Sequence, residues 1–114
     1  MSFEVVPTES FQATVKQLKK RYVRVSEDLK QAIRSLQADP SIGNVIPKDY
    51  GARKLRLPNS SANRGKSGGF RLIYFVQQGQ RPALWLLLIY SKSDQENVGL
   101  TELKNIMSDL KESL

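Results

Sequence analysis

The sequence contains neither cysteine nor histidine. Without cysteine there is no disulfide framework, no thiolate metal site and no cysteine nucleophile, a composition that suits a reducing cytoplasm. Without histidine the commonest general base and the commonest metal ligand are missing, which excludes Ser-His-Asp triads and histidine-based zinc hydrolysis. Long apolar runs are absent too: the longest, residues 83–90, is far shorter than the roughly 20 residues that span a bilayer. Residues 1–7 carry Glu4 and no basic segment followed by an apolar stretch, so neither a signal peptide nor a membrane partner is expected, and a cytoplasmic location follows. Acidic side chains are missing from one interval in particular. Between Asp49 and Asp94 there is no Asp or Glu.

What the chain does have is 18 Lys plus Arg against 11 Asp plus Glu over 114 residues, a net charge of +7. That length is read as one domain, residues 1–114, and 39% apolar residues build an ordinary core without metals or crosslinks. The acid-free interval holds Arg53, Lys54, Arg56, Arg64, Lys66, Arg71, Arg81 and Lys92, while the rest of the chain sets ten basic residues against all eleven acids. A field segregated in this way attracts polyanions, nucleic acid foremost, or an acidic protein. The plainer alternative is a solvated basic face with no ligand. Because these charges are interleaved with strand-like apolar residues rather than gathered in a tail, a binding surface is the preferred reading.

Residues 2–6 read as a short first strand ended by Pro7. Phe11, Val15, Leu18 and Tyr22 recur at the spacing of one helical face, predicting an amphipathic helix that begins near Thr8 or Ser10. For a second helix, Ser26 is the expected N-cap and Glu27 and Asp28 complement the dipole. Leu29, Ile33 and Leu36 form its stripe until Asp39-Pro40 stops it. Residues 41–49 read as a loop. Residues 51–57 alternate, with Leu55 and Leu57 on one face and Lys54 and Arg56 on the other. A polar loop at 58–68 leads to a strand at 69–76, a turn at 77–82, and the apolar run 83–90, read as a central strand covered on both faces. Thr101 is expected to cap a last helix with Leu103, Ile106 or Met107, Leu110 and Leu114 on one side. The predicted fold is α+β in the order β-α-α-β-β-β-α. It has a small antiparallel-rich sheet, an N-terminal helical hairpin, a C-terminal helix, and helices largely on one face.

The most distinctive segment is Arg64-Gly-Lys-Ser-Gly-Gly-Phe-Arg-Leu-Ile-Tyr74. Its Gly-Lys-Ser is shared with the P-loop, but Ser60 stands where that motif needs glycine, and this loop leads into a strand rather than a helix. Nucleotide hydrolysis is therefore not expected. Arg71 stands out, because a charge in the middle of an apolar strand is costly unless it is paired or exposed on a working surface. It is either such a working residue or a packing arginine whose guanidinium bonds loop carbonyls.

Three stretches, Arg53-Lys-Leu-Arg56, Gly65-Lys-Ser-Gly-Gly-Phe-Arg-Leu-Ile-Tyr74 and Leu88-Ile-Tyr-Ser-Lys92, together resemble the HigB branch of the RelE toxin superfamily of type II toxin-antitoxin modules. The match extends through Glu96 and the final helix. The resemblance implies a RelE-like fold and a ribosome-dependent endoribonuclease that cuts mRNA in the 30S A site. The ribose 2′-OH would attack the adjacent phosphate, leaving a 2′,3′-cyclic phosphate and a 5′-OH. By the same resemblance Arg71 stabilises the transition-state phosphate, Lys54 and Arg56 are the basic pair of the preceding strand, and Lys92 is the lysine ending the last strand. Arg53, Arg64 and Lys66 are candidates to hold RNA. Tyr74 or Tyr90 is a candidate to stack on a base or assist proton transfer, against the plainer reading of a core tyrosine. The implied partners are mRNA, the ribosome and a cognate antitoxin with a DNA-binding helix-turn-helix or similar domain.

Fixed Arg and Lys donors meeting charge on phosphate oxygens fit those roles. Arginine stays protonated, so Arg56 and Arg71 are clamps rather than bases. Lys54, crowded by Arg56, Lys66 and Arg71, is expected to have a lowered pKa and to serve as general base. No cofactor or metal is expected, since every carboxylate lies outside the motif. The chain departs from the RelE pattern in Ser93 after Lys92 and in having no tyrosine after Tyr90. Two alternatives remain, a non-catalytic basic module binding RNA or DNA and a ParE-like gyrase inhibitor. The Lys54, Arg56 and Arg71 set speaks against the latter. Lys19, Lys20, Arg21 and Arg24 read as a solvated helix face or an rRNA contact.

Overall fold

The computed structural model describes residues 3–47, 51–95 and 98–114, and it places the continuous apolar run inside a five-stranded sheet. In chain order the elements are β1 (Glu4–Pro7), α1 (Glu9–Lys19), α2 (Val25–Ala38), β2 (Asn44–Val45), β3 (Arg53–Leu57), β4 (Phe70–Gln77), β5 (Ala83–Ser91) and α3 (Leu100–Ser113). Two single 3-10 turns, Ser60–Ala62 and Lys66–Gly68, shape the loop between β3 and β4. The sheet order is β1-β5-β4-β3-β2, with only the β1–β5 pair parallel.

Thr8 caps α1 by accepting from the Phe11 N–H, as its residue type favours. The expected stripe then buries Phe11, Leu18 and Tyr22. Together with Leu29 and Leu36 of α2 they cover Leu57, Phe70, Leu72, Leu84 and Ile89 on one face of the sheet. Fully burying a leucine such as Leu36 contributes about 1.5–3 kcal/mol. On the other face Leu103, Met107 and Leu110 of α3 pack against Ile73, Leu87 and Leu88.

Several expectations are corrected. The three helices divide between the two faces, because β4 and β5 are apolar on both sides and each side needs cover. The 41–49 loop contains β2, a two-residue edge strand pairing Asn44 with Lys54 and Val45 with Arg53; Asp49 lies outside the described residues, as do Ser2 and Glu96. The first strand runs through Pro7 rather than stopping before it, which an edge position permits for a residue without an N–H. Ser26 is not the cap of α2. Val25, completely buried, already belongs to the helix, and the Arg24 N–H donates instead to Ser61 Oγ at 2.8 Å. Gly99 rather than Thr101 precedes α3, and Leu114 is exposed.

Two features of β5 position the site. β1 pairs with it only over residues 83–86, and α1 covers the edge beyond. Thr8 Oγ1 donates to the Leu86 carbonyl at 2.8 Å, Ser10 Oγ donates to that of Leu87 at 2.9 Å, and the Ile89 N–H donates to Thr14 Oγ1 at 3.1 Å. The β4–β5 ladder also carries a bulge: Ile73 pairs with Leu88 but Tyr74 with Leu86. A bulge shifts the alternation by one residue. Leu84 and Leu86 face the helical hairpin, Leu87 and Leu88 both join the α3 cluster, and from there on Ile89 faces the hairpin and Tyr90 the opposite side.

Candidate active site

The period of two in β3 sends Leu55 and Leu57 toward the hairpin and Lys54 and Arg56 to the opposite face. In register, Arg56 stands beside Arg71 of β4, and Arg71 beside Tyr90 of β5. The Lys92 N–H donates to the Gly69 carbonyl at 2.9 Å, which extends the ladder one step past β5. Three strands thus contribute one cross-strand row. Its electrostatics agree: the Lys54 amine is held below its ordinary pKa by burial first, then by the charges of Arg71, Lys92 and Arg56. Lys66, expected to crowd Lys54, is not among these charges; Lys92 takes its place. Burial raises the Tyr90 phenol and Arg71 opposes that rise, so the hydroxyl keeps its proton at neutral pH.

Arg71 is only 5% exposed, and burial followed by Arg56 lowers its pKa. Its Nη1 donates to the carbonyls of Lys66 at 2.9 Å and Phe70 at 3.2 Å, and its Nη2 to that of Ser67 at 2.9 Å. The carbonyl-bonded arrangement considered from the sequence is therefore present. Among the described residues these bonds use three of the five N–H donors of a guanidinium and leave Nε–H and one Nη2–H, the number that a bidentate phosphate contact requires. Carbonyls orient the cation without neutralising it. The turn that supplies them is fastened by Asn59 and Arg64, whose backbone groups exchange two hydrogen bonds of 2.9 Å.

Gly69 closes the same loop. A Cβ there would meet the Leu57 carbonyl oxygen and, at 2.9 Å, the Asn59 nitrogen. Gly69→Ala is accordingly expected to cost on the order of 1–3 kcal/mol through overpacking against backbone, read as a lower denaturant midpoint with unchanged m-value. An unchanged midpoint would show that the loop yields freely.

The remaining candidates separate. Arg56 is exposed within the row, and Arg64 and Lys66 are exposed on the loop above it. Arg53 lies on the hairpin face of β3, opposite Tyr74, and its Nη1 donates to the carbonyls of Gly43 at 2.7 Å and Ser41 at 3.2 Å. Tyr74 is completely buried, with its hydroxyl donating to the Pro40 carbonyl at 2.8 Å and accepting from the Gly43 N–H at 3.0 Å. It has no ring face to offer a base, so the RNA-stacking expectation for Tyr74 is corrected to a core role. Tyr90 is 5% exposed, so its ring packs with the α3 cluster rather than stacking, and only its hydroxyl belongs to the row. Arg21 and Arg24 pair on the surface with Asp94 at 2.7 Å and Glu27 at 2.8 Å. Among the described residues no group of three or more His, Cys, Asp or Glu converges to hold a metal, and no helix is long and apolar enough to cross a membrane.

Sequence reasoning gave Asp28 only a helix-dipole role, used Ser60 only to set aside the P-loop, and assigned nothing to Asn59. The buried Asp28 carboxylate accepts from the Ser60 N–H at 3.0 Å and the Ser60 hydroxyl at 3.1 Å, in addition to lying in the first turn of α2. Asn59 Oδ1 accepts from the Ala62 N–H at 3.2 Å. The turn-forming run Asn59-Ser60-Ser61 was the available signal, but nothing in it points to α2.

A five-stranded sheet with a helical hairpin on one face and a third helix on the other is a RelE-like α+β fold. A double arginine-to-alanine mutant of the E. coli toxin RelE, solved in the free state, superposes with a TM-score of 0.61 at 19% identity. The superposition covers 92% of this chain and 96% of that one. At that identity the likeness is one of fold. No protein-family model matches the sequence, and no curated protein matches it.

Proposed function

We propose that this protein is the toxin of a type II toxin-antitoxin module, of the HigB branch of RelE-like toxins. In this reading it is a metal-independent endoribonuclease that cuts mRNA in the A site of the translating 30S subunit. The observation that carries the reading is the row of Lys54, Arg56, Arg71, Tyr90 and Lys92, contributed by three strands and by the residue following the last. Attack of a ribose 2′-OH on the adjacent phosphate builds charge on the non-bridging oxygens, and donors fixed in advance stabilise that charge most. Arg71, with two donors left and its other three held by carbonyls, is the clamp, and exposed Arg56 a second one. Lys54 is the general base that takes the 2′-OH proton, because its lowered pKa enlarges the neutral fraction. The Tyr90 hydroxyl donates to a phosphate oxygen or to the departing 5′ oxygen. Arg64 and Lys66 hold the RNA backbone, and Lys92 adds charge beside Lys54.

Action on ribosomes places the protein in the cytoplasm. Its holding partner is an antitoxin that carries a helix-turn-helix or similar DNA-binding domain and presents acidic segments to the basic face.

The test is in vitro translation with the wild-type protein, mapping mRNA ends with and without translating ribosomes. Cuts that require ribosomes and carry 2′,3′-cyclic phosphate ends are expected. Binding without cutting would replace this reading with that of a basic RNA-binding module; gyrase inhibition without cutting would replace it with the ParE-like one.

A further inference from the structure

The buried Asp28 carboxylate has no part in the row, yet it grips the loop that holds Arg71. It reaches Ser60, next to Asn59, whose backbone pairing with Arg64 closes the segment from 59 to 64. One residue beyond that closure, past Gly65, come Lys66 and Ser67, whose carbonyls hold the Arg71 guanidinium. A second contact fastens the same loop to the same helix end, the Arg24 N–H donating to Ser61 Oγ at 2.8 Å. The path from α2 to the guanidinium is therefore a continuous chain of hydrogen bonds and short backbone steps.

We propose that Asp28 and Ser60 are positioning residues for Arg71, fixing through the 59–67 loop the carbonyls that aim its guanidinium at the scissile phosphate. This rests on the nuclease reading for its catalytic consequence but not for its structural one. A carboxylate with only a packing duty would be a poor choice here, since burying it requires hydrogen bonds. Among the described residues both bonds it accepts come from one residue of the loop, so losing it removes one of the two ties between the loop and α2 and leaves the Arg24–Ser61 tie in place. The α2 stripe of Leu29, Ala32 and Leu36 that holds the helix on the sheet is separate.

The experiment uses the full chain and two readouts. The first is the NMR signal of the Arg71 Nε–H and Nη–H protons in wild type, Asp28→Ala, Ser60→Ala and Asp28→Asn. A guanidinium locked by three carbonyls gives separate Nη–H signals, which are expected to merge in Asp28→Ala and broaden in Ser60→Ala. In Asp28→Asn, where an amide oxygen replaces the accepting carboxylate oxygen, separate signals should return. The second readout is steady-state cleavage on translating ribosomes. Asp28→Ala is expected to lower kcat on the order of tenfold with KM changed less than about twofold, as loss of aim rather than of binding requires.

Unchanged Arg71 signals in both Asp28→Ala and Ser60→Ala would overturn the proposal whatever happens to activity. So would a rise in KM with kcat intact. If Asp28→Ala does not fold, Ser60→Ala, which keeps the backbone bond to Asp28, decides alone. A wild-type protein that cuts no RNA would overturn the nuclease reading, and the NMR signals would still decide the positioning role.

Discussion

Arg71→Lys is expected to reduce ribosome-dependent cleavage on the order of 10²–10³-fold, the loss found when one preorganised donor to a charge-bearing oxygen is removed. An ammonium keeps the charge, so the loss isolates geometry. The guanidinium satisfies three carbonyls in its plane and still presents two N–H groups, whereas a lysine has three donors in all and would have to abandon either the loop or the phosphate. Arg71→Ala should be at least as inactive and also less stable, because the carbonyls of Lys66, Phe70 and Ser67 lose their partner and that of Phe70 is buried; an unmet buried acceptor costs about 1–3 kcal/mol. Mapped mRNA ends and a denaturant midpoint on each variant separate the two effects. Near wild-type cutting by Arg71→Lys would show that this side chain packs the loop and does no more.

Lys54→Met is expected to move stability and activity in opposite directions. The folded chain holds the Lys54 amine below its ordinary value of 10.5, by burial first and then by the like charges of Arg71, Lys92 and Arg56. A depressed lysine pKa means that the unfolded chain binds more protons than the folded one between the folded pKa and 10.5, so wild-type stability rises with pH across that window. Below the folded pKa the destabilisation is fully present. Lys54→Met should therefore melt higher than wild type at neutral pH, and the difference should shrink as pH approaches the ordinary lysine value. Cleavage should fall on the order of 10²–10⁴-fold, and the rise of the wild-type rate with pH should flatten, because the neutral amine that takes the proton is gone. A variant less stable at neutral pH, or one keeping the rising limb, would remove Lys54 from the base role. Stability gained by deleting a crowded cation is the usual signature of a site built for function rather than packing.

How much of this was legible before the fold was known differs residue by residue. The face of Lys54 and Arg56 followed from strand alternation alone, since Leu55 and Leu57 had to be buried. Arg71 announced itself as a charge inside an apolar strand, but spacing left open whether carbonyls or a ligand would meet it, and the structure supplies the carbonyls. Tyr74 and Tyr90 look alike in sequence. One fills the core beneath the hairpin with its hydroxyl bound at Pro40 and Gly43; the other reaches the cationic row.

Composition and periodicity by themselves determined that the chain makes an α+β domain with an acid-free basic interval and no cysteine or histidine chemistry. They also determined the helical hairpin and the strands that carry the charges, because alternation and helical spacing are local consequences of which side chains must leave water. Only the tertiary structure decided which residues meet. In the run from Ala83 to Tyr90 nearly every side chain is apolar, so nothing local marks where the alternation shifts. The bulge opposite Ile73 and Tyr74 turns Tyr90 toward Arg71, and the contact of Asp28 with Ser60 joins residues 32 positions apart. Both arise from packing a sheet between two helical layers, which fixes register and loop path by burial summed over the whole domain rather than by the preference of any one segment.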